Sequence, residues 1–327
     1  MQCGAVLWAA GVCAAADLAL SVWMCYHARM RFRLPALRSM PAYQRQVCLF
    51  LLPYALGTLV LTVLPALATL VIAFTRYQAV SPPTWAGLEN LQRALRSPYI
   101  RTVLHNSFFF LALAVPLRLL GALLLALLLQ RRGRLFGLYR AAIYLPTVIP
   151  EAAYALIWTW ILNPLYGPLN LVLRGLGLPA PAWLAEPWSA RLSIVILSLF
   201  QIGEGFVVLL TGLQNIPRSY YEAAAVDGAS GWQAFFRITL PLLAPWLLLL
   251  VLRDLIVSLQ NTFAPSFIMT YGGPGFATTF LPLLVYELAF DVVDLGLASA
   301  TLVLAWALIG LTALGIWNIL SGLRRQE

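Results

Sequence analysis

The sequence contains no lysine: all 21 basic residues are arginine. A P-loop needs a lysine to reach the nucleotide phosphates, so this chain carries no standard Walker A motif, and ATP used through one would be bound by another chain. Charge of either sign is scarce. Only 10% of the residues are charged, where a soluble domain averages about 25%, and 61% are hydrophobic. A water-soluble globule of 327 residues could not be coated with the polar surface available, and the same figures exclude a disordered chain or a collagen-like repeat. Histidine is limited to His27 and His105, which are isolated. The four cysteines, Cys3, Cys13, Cys25 and Cys48, form no C-x-x-C and lie in or beside apolar runs, so they read as small core residues rather than metal ligands. No H-E-x-x-H, G-x-S-x-G or clustered-histidine motif supports a membrane-embedded enzyme.

What the sequence does have is long apolar runs. A transmembrane helix needs about 20 mostly apolar residues. Seven segments qualify, at about 4–26, 48–74, 106–130, 140–162, 191–213, 240–262 and 295–320. The first differs from a secretory signal, which places positive charge before its apolar run. Here the arginines follow it, at Arg29, Arg31, Arg33, Arg38 and Arg45, which predicts a retained anchor with its N-terminus outside. Under the positive-inside rule, seven spans then place the basic 27–47 loop, the 131–140 loop and the C-terminal Arg324 and Arg325 in the cytoplasm. The 75–105 segment, with Arg76, Arg93, Arg96 and Arg101, is an exception; it is long, and the rule weakens with loop length. The +9 net charge suits an anionic lipid surface, and no basic patch interleaved with aromatics points to nucleic acid. Asn163-Pro164 and the Tyr-Gly-Gly-Pro-Gly run at 271–275 predict breaks or turns on the outer side.

The 214–241 loop has too few apolar residues to span, yet it predicts structure. Ser219 and Glu222 predict a capping box, Ala223–Ala225 a helix, and Gly228 a left-handed stop. Ser230 and Gln233 predict a second capping box and a second short helix towards Thr239, ahead of Pro241. Exposed Tyr220, Tyr221, Trp232, Phe235 and Phe236 with small alanines suit a surface that docks on another protein; packing on the chain's own bundle or at the lipid interface is the alternative.

The loop resembles the EAA loop of binding-protein-dependent ABC importer permeases. The residues that carry the resemblance are Glu222-Ala223-Ala224, Asp227-Gly228-Ala229, Ile238, Leu240 and Pro241. Over about 45–320 the chain is similar to the carbohydrate branch, the maltose-type or glycerol-phosphate-type first permease. Leu51-Leu52-Pro53, Leu145-Pro146, Trp158-Thr159-Trp160, Asn163-Pro164, Gly212-Leu213-Gln214 and Thr270-Tyr271-Gly272-Gly273-Pro274 follow in order, and Leu91 departs from the tyrosine expected after Asn90.

The resemblance implies an all-α polytopic membrane protein with the six-helix core of a type I importer permease plus one N-terminal helix. Residues 1–46 would form the anchor and basic loop, and 47–327 the permease domain. It implies a prokaryotic cytoplasmic membrane location, a second homologous permease, a cytoplasmic ATPase dimer that binds ATP and magnesium, and an extracytoplasmic solute-binding protein. No catalytic, cofactor or metal residue is implied on this chain. Glu222, Ala223, Ala224, Asp227, Gly228 and Arg237 would couple to the ATPase; Glu222 is read equally as a cap and Arg237 as a positive-inside anchor. Ionisable groups at membrane depth are costly and default to functional candidates. Gln201, Glu204, Gln260, Asn261 and Tyr286, with Phe200, are the substrate candidates for a sugar-like solute, and helix–helix bonding is the alternative. Arg118 or Arg253 could serve a phosphorylated ligand, or Arg253 could pair with a carboxylate. The competing reading is an ion-gradient-driven secondary transporter with Glu204, Asp254 or Glu151 as proton carriers; the docking loop argues against it.

Overall fold

A computed structural model describes residues 42–79, 81–130 and 133–324. The anchor expected at 4–26 and most of the basic loop after it lie outside the described residues. The chain divides into two compact units, one comprising residues 1–93 with 293–303, the other residues 94–292 with 304–327.

In the first unit, α1 (Ala42–Thr58) passes through a π-helical turn (Leu59–Val63) into α2 (Leu64–Ile72). The wide turn has a local cause. Pro65 has no N–H, and in a regular helix its ring would strike the carbonyl four residues back. The Leu64 N–H instead bonds to Leu59, five residues back. Strands β1 (Thr75–Arg76) and β2 (Thr84–Trp85) pair antiparallel, followed by α3 (Glu89–Arg96). Buried Asn90 ties this region together: its Nδ2 donates to the carbonyls of Ala73 at 3.1 Å and Thr75 at 2.7 Å. Arg93 pairs with Asp294 at 2.8 Å, and Asp294 also accepts from the Leu297 N–H at the start of α15 (Leu295–Arg324).

The second unit is built on α4 (Pro98–Leu128), whose start is capped by Ser97. Its buried positions feed three apolar clusters, around Phe110 and Ala114, around Leu111 and Val115, and around Ala122, Leu123 and Ala126. Next come α5 (Arg134–Tyr144), a 3₁₀ turn (Leu145–Val148) and α6 (Glu151–Ile161). The span expected at 140–162 falls on this pair, which bends by 102° where Pro146 and Pro150 withdraw two N–H donors. After α7 (Pro168–Gly175), helices α8 (Pro187–Leu199) and α9 (Gly203–Gln214) meet at 44°, a second bend inside an expected span. A Cβ on Gly203 would stand 2.8 Å from the Tyr144 Cα, so only glycine allows this approach of two backbones.

The coupling segment follows as α10 (Arg218–Val226), then α11 (Gly231–Ala234). A π turn (Phe235–Thr239) leads into α12 (Leu240–Gln260), and the helix continues through α13 (Phe263–Pro265) and another π turn to Thr270. The π turn before Leu240-Pro241 repeats the device at Leu64-Pro65: the Leu240 N–H bonds to Phe235, five residues back. The predicted short second helix is thus the foot of a span, with no break before Pro241. Finally, α14 (Leu281–Tyr286) runs into a π turn (Glu287–Asp291). Among the described residues four helices are long and apolar enough to cross a membrane, or up to six crossings if each bent pair counts as one.

Candidate functional site

Two regions of the second unit collect the predicted residues. The first is the exposed segment from α10 to the foot of α12. The predicted Ser219–Glu222 capping box is not formed. Pro217, with φ −61° and ψ 136°, occupies the cap position, and the helix begins at Arg218. The fixed proline φ starts the helix too early for Ser219 to stand outside it. Glu222 is therefore free of a capping role, and it is exposed together with Ala223, Asp227, Gly228 and Arg237. Ala224 is half-buried.

The end of α10 is fixed by its backbone. Gly228 has φ +75°, a left-handed conformation that glycine adopts without steric cost. The Ala229 N–H donates to Ala224 at 2.9 Å and the Gly228 N–H to Ala225 at 3.1 Å, the paired bonds of a Schellman stop. The second predicted box is present. The Ser230 N–H donates to Gln233 Oε1 at 2.7 Å, and the Gln233 N–H donates to Ser230 Oγ at 3.4 Å. A hydroxyl–hydroxyl bond of 2.8 Å between Tyr221 and Thr239 ties α10 to the spanning helix. Trp232 and Phe236 stack at 5.9 Å, with Phe235 edge-on to Phe236 at 5.0 Å. Trp232 remains 74% exposed and Phe236 is exposed beside it, so these two rings are not absorbed by the chain's own core, whereas Phe235 packs against the cluster around Ala122 and Leu123.

The second region lies within the spans. Arg118 on α4 is 6% exposed and Asp254 on α12 is 8% exposed. They pair at 3.2 Å, and Arg118 also donates to Ser258 Oγ. Arg253 bridges Asp254, at 3.1 Å, and Glu204 on α9. Two arginines and two carboxylates thus balance in charge and join three helices. Such pairing offsets the desolvation that a lone buried charge would suffer. The pairing anticipated for Arg253 is therefore present, with two partners.

The remaining substrate candidates lie on several elements. Asn261 caps α12, and its amide nitrogen, oriented to satisfy both ends of the group, donates to Glu151 Oε1 at 3.1 Å and the Val257 carbonyl at 3.2 Å. Gln260 Nε2 is buried without a hydrogen-bond partner among the described residues. Gln201 occupies the bend between α8 and α9, and Phe200 beside it packs on Trp158 at 5.0 Å. Tyr286 does not join the charged cluster. It belongs to an aromatic group with Phe263, Phe267 and Phe290. Near that group, outside the spans, the Asp291 carboxylate pushes the Tyr271 phenol above its ordinary pKa. Sequence reading missed Ser258 and the Tyr221–Thr239 bond; the only signal for either was a hydroxyl in an otherwise apolar or docking segment. It also missed Phe263 and Phe267, whose spacing of four was visible.

The comparisons with known proteins agree with this architecture. Residues 118–324 match the family described as "Binding-protein-dependent transport system inner membrane component". The chain is 35% identical over 272 residues to the probable ABC transporter permease protein YesP of Bacillus subtilis, covering 81% of this chain and 86% of that protein. It is 35% identical over 266 residues to the trehalose/maltose transport system permease protein MalF of Thermococcus litoralis, covering 80% and 88%. It is 34% identical over 273 residues to the sn-glycerol-3-phosphate transport system permease protein UgpA of Brucella abortus, covering 80% and 92%. A chain in the crystal structure of a bacterial alginate ABC transporter, complexed with an alginate pentasaccharide-bound periplasmic protein, superposes with TM-score 0.71 at 22% identity. It covers 82% of this chain and 91% of that one, a likeness of fold. With its broken spans, its capped helix-turn-helix loop and these matches, the chain belongs to the family of inner-membrane permease components of binding-protein-dependent ABC transport systems.

Proposed function

We propose that this chain forms half of the translocation path of an ATP-driven importer for a sugar or related solute, working by alternating access. Relatives named for trehalose/maltose and lactose support the sugar class. ATP and its magnesium are bound by a separate cytoplasmic ATPase dimer, a second homologous permease completes the path, and an extracytoplasmic binding protein delivers the solute. The 214–241 segment, and with it the C-terminus, then lies in the cytoplasm.

The observation that carries this reading is the exposed segment from Arg218 to Trp232, stopped by a left-handed glycine, capped by Ser230 and continuous with a spanning helix. A docking element that transmits force has to hold its shape under load. Here a backbone stop, the Ser230–Gln233 cap and the Tyr221–Thr239 bond hold it, which leaves Glu222, Ala223, Asp227 and Arg237 to meet a partner. Ala223 and Ala224 permit close approach. Within the span, Glu204 and Arg253 are part-exposed and offer acceptors and donors to solute hydroxyls, and the buried Gln260 amide nitrogen is a further donor without a partner among the described residues. Gln201, Asn261 and Tyr286 complete the proposed path. An ion-driven carrier has less support, because Glu204 and Asp254 are each already neutralised by an arginine.

The test is co-purification of the tagged chain from its native membrane, beside a Glu222→Lys/Ala223→Trp variant. Both substituted positions are exposed, so folding is expected to survive. Wild type is expected to bring down an ATPase and a second permease, and the variant to lose the ATPase while retaining the permease. A chain recovered alone, transporting under an ion gradient without ATP, overturns the proposal.

A further inference from the structure

Past Asn261 the character of the helix changes from charged to aromatic. Phe263, Phe267 and Tyr271 follow at intervals of four, and Tyr286 and Phe290 repeat that interval on the facing segment. Phe263 and Phe267 stack at 5.5 Å, and Phe267 meets Tyr271 at 5.3 Å. Tyr286 lies 5.6 Å from Phe263, 5.5 Å from Phe267 and 5.2 Å from Phe290. Five rings therefore form one continuous ladder. Its inner end begins two residues after Asn261. Its outer end is open, with Tyr271 56% and Phe290 68% exposed.

Three features set the ladder apart from ordinary core packing. Both segments that carry it contain π turns, Ser266–Thr270 and Glu287–Asp291, a geometry frequent at functional sites. Tyr271 is held at φ +46°, a left-handed conformation costly for a bulky side chain, and this directs the chain at the ladder's mouth. The mouth carries two carboxylates. Glu287 accepts from the Tyr99 hydroxyl at 2.6 Å, and Asp291 lies 3.4 Å from the Tyr271 hydroxyl. Neither pairs with a basic side chain among the described residues.

We propose that this ladder is an entry track for neutral saccharides, on which pyranose rings stack by their C–H faces while Glu287, Asp291 and the tyrosine hydroxyls bond to the sugar hydroxyls. The chemistry follows from the parts. Aromatic faces accept the weakly positive C–H face of a sugar without fixing its identity, and a row of them allows stepwise movement. The acidic mouth disfavours phosphorylated or uronic sugars, because it would set like charges together. A belt of rings in the lipid headgroup zone needs no ladder leading inward to a polar cluster. This inference deepens the sugar-importer reading and rests on it.

The test uses the complex purified from its native membrane into nanodiscs, with saturation-transfer NMR as the readout. The probes are neutral gluco-, galacto- and xylo-configured trisaccharides and, as the anionic counterpart, trigalacturonate. At least one neutral trisaccharide is expected to show ring C–H transfer. That signal should fall at least fivefold in Phe267→Ala and Tyr286→Ala and be kept in Phe267→Trp and Tyr286→Phe. Trigalacturonate should give less transfer than its neutral counterpart. Equal signals in the alanine variants, no neutral binding, or preferred trigalacturonate binding each overturn the track. Loss of the co-purifying second permease from the alanine variants would also overturn it, by making the ladder a subunit interface. Continued co-purification of the ATPase with a wild type that binds no trisaccharide would refute the track while leaving the importer reading intact.

Discussion

The loop at 214–241 and the charged cluster around Arg253 are fixed by opposite means. The loop is exposed and held by short-range bonds that are mostly to its backbone: a Schellman stop, the reciprocal Ser230–Gln233 cap and one hydroxyl bond to Thr239. The cluster lies in the spans and is held by side chains, four charges and a serine joining three helices. An element held by its backbone and a few local caps can present its remaining side chains to a partner, whereas an element held by paired charges commits them to one another. The division predicts that damage to the cluster appears as lost stability and damage to the loop as lost coupling.

The largest expected effect is in the cluster. Asp254→Leu leaves Arg118 buried without its partner and should destabilise by about 3–5 kcal/mol. Thermal unfolding in nanodiscs measures this, and the Arg118→Met/Asp254→Leu double variant should recover most of the loss. An unchanged melting temperature for the single variant would mean that the pair is not desolvated. Next comes Gly228→Val, which forces a branched side chain into a left-handed conformation at roughly 1–2 kcal/mol. Amide exchange should accelerate at Asp227–Ser230, while the bundle melts as in wild type. Ser230→Ala removes one half of the reciprocal cap and should cost about 1 kcal/mol, read as faster exchange at Gln233. Faster exchange across all of α12 instead would show that the cap supports the span and not just its foot. The smallest stability effect belongs to Glu204→Gln. The Glu204 and Arg253 side chains are 48% and 34% exposed, so the pair is worth no more than about 1 kcal/mol. A transport defect without a shift in melting would place Glu204 on the solute path, and a large shift would place it in the scaffold.

What the sequence revealed follows the range over which its signals act. Gly228 and the Ser230–Gln233 box were legible because both partners of each bond lie within a few residues. The Ser219 box was misread because two start signals stand close together, and the fixed φ of Pro217 acts before a hydroxyl can. Span positions were legible from hydropathy, which counts apolar residues but carries no direction, so the 102° bend after Val148 was hidden. The cluster members were visible one by one as misplaced charges. Their partnership was not, because Arg118 and Asp254 are brought together by helix packing and no periodicity spans that separation. The aromatic ladder was half visible: the spacing of 263, 267 and 271 is in the sequence, but the meeting with Tyr286 is not.

The absence of a break between Ser230 and Gln260 has a mechanical meaning. The Pro241 position, where a chain would ordinarily hinge, is spanned by a widened turn that keeps the helix continuous. The 21 residues of α12 alone make a lever about 32 Å long. A tilt of about 5° at its foot moves the far end by about 3 Å over that length, enough to part a hydrogen bond. Under the proposed coupling, Gln260 and Asn261 at the far end of the arm would move most, and Arg253, thirteen residues above Leu240, would move by about 1.7 Å.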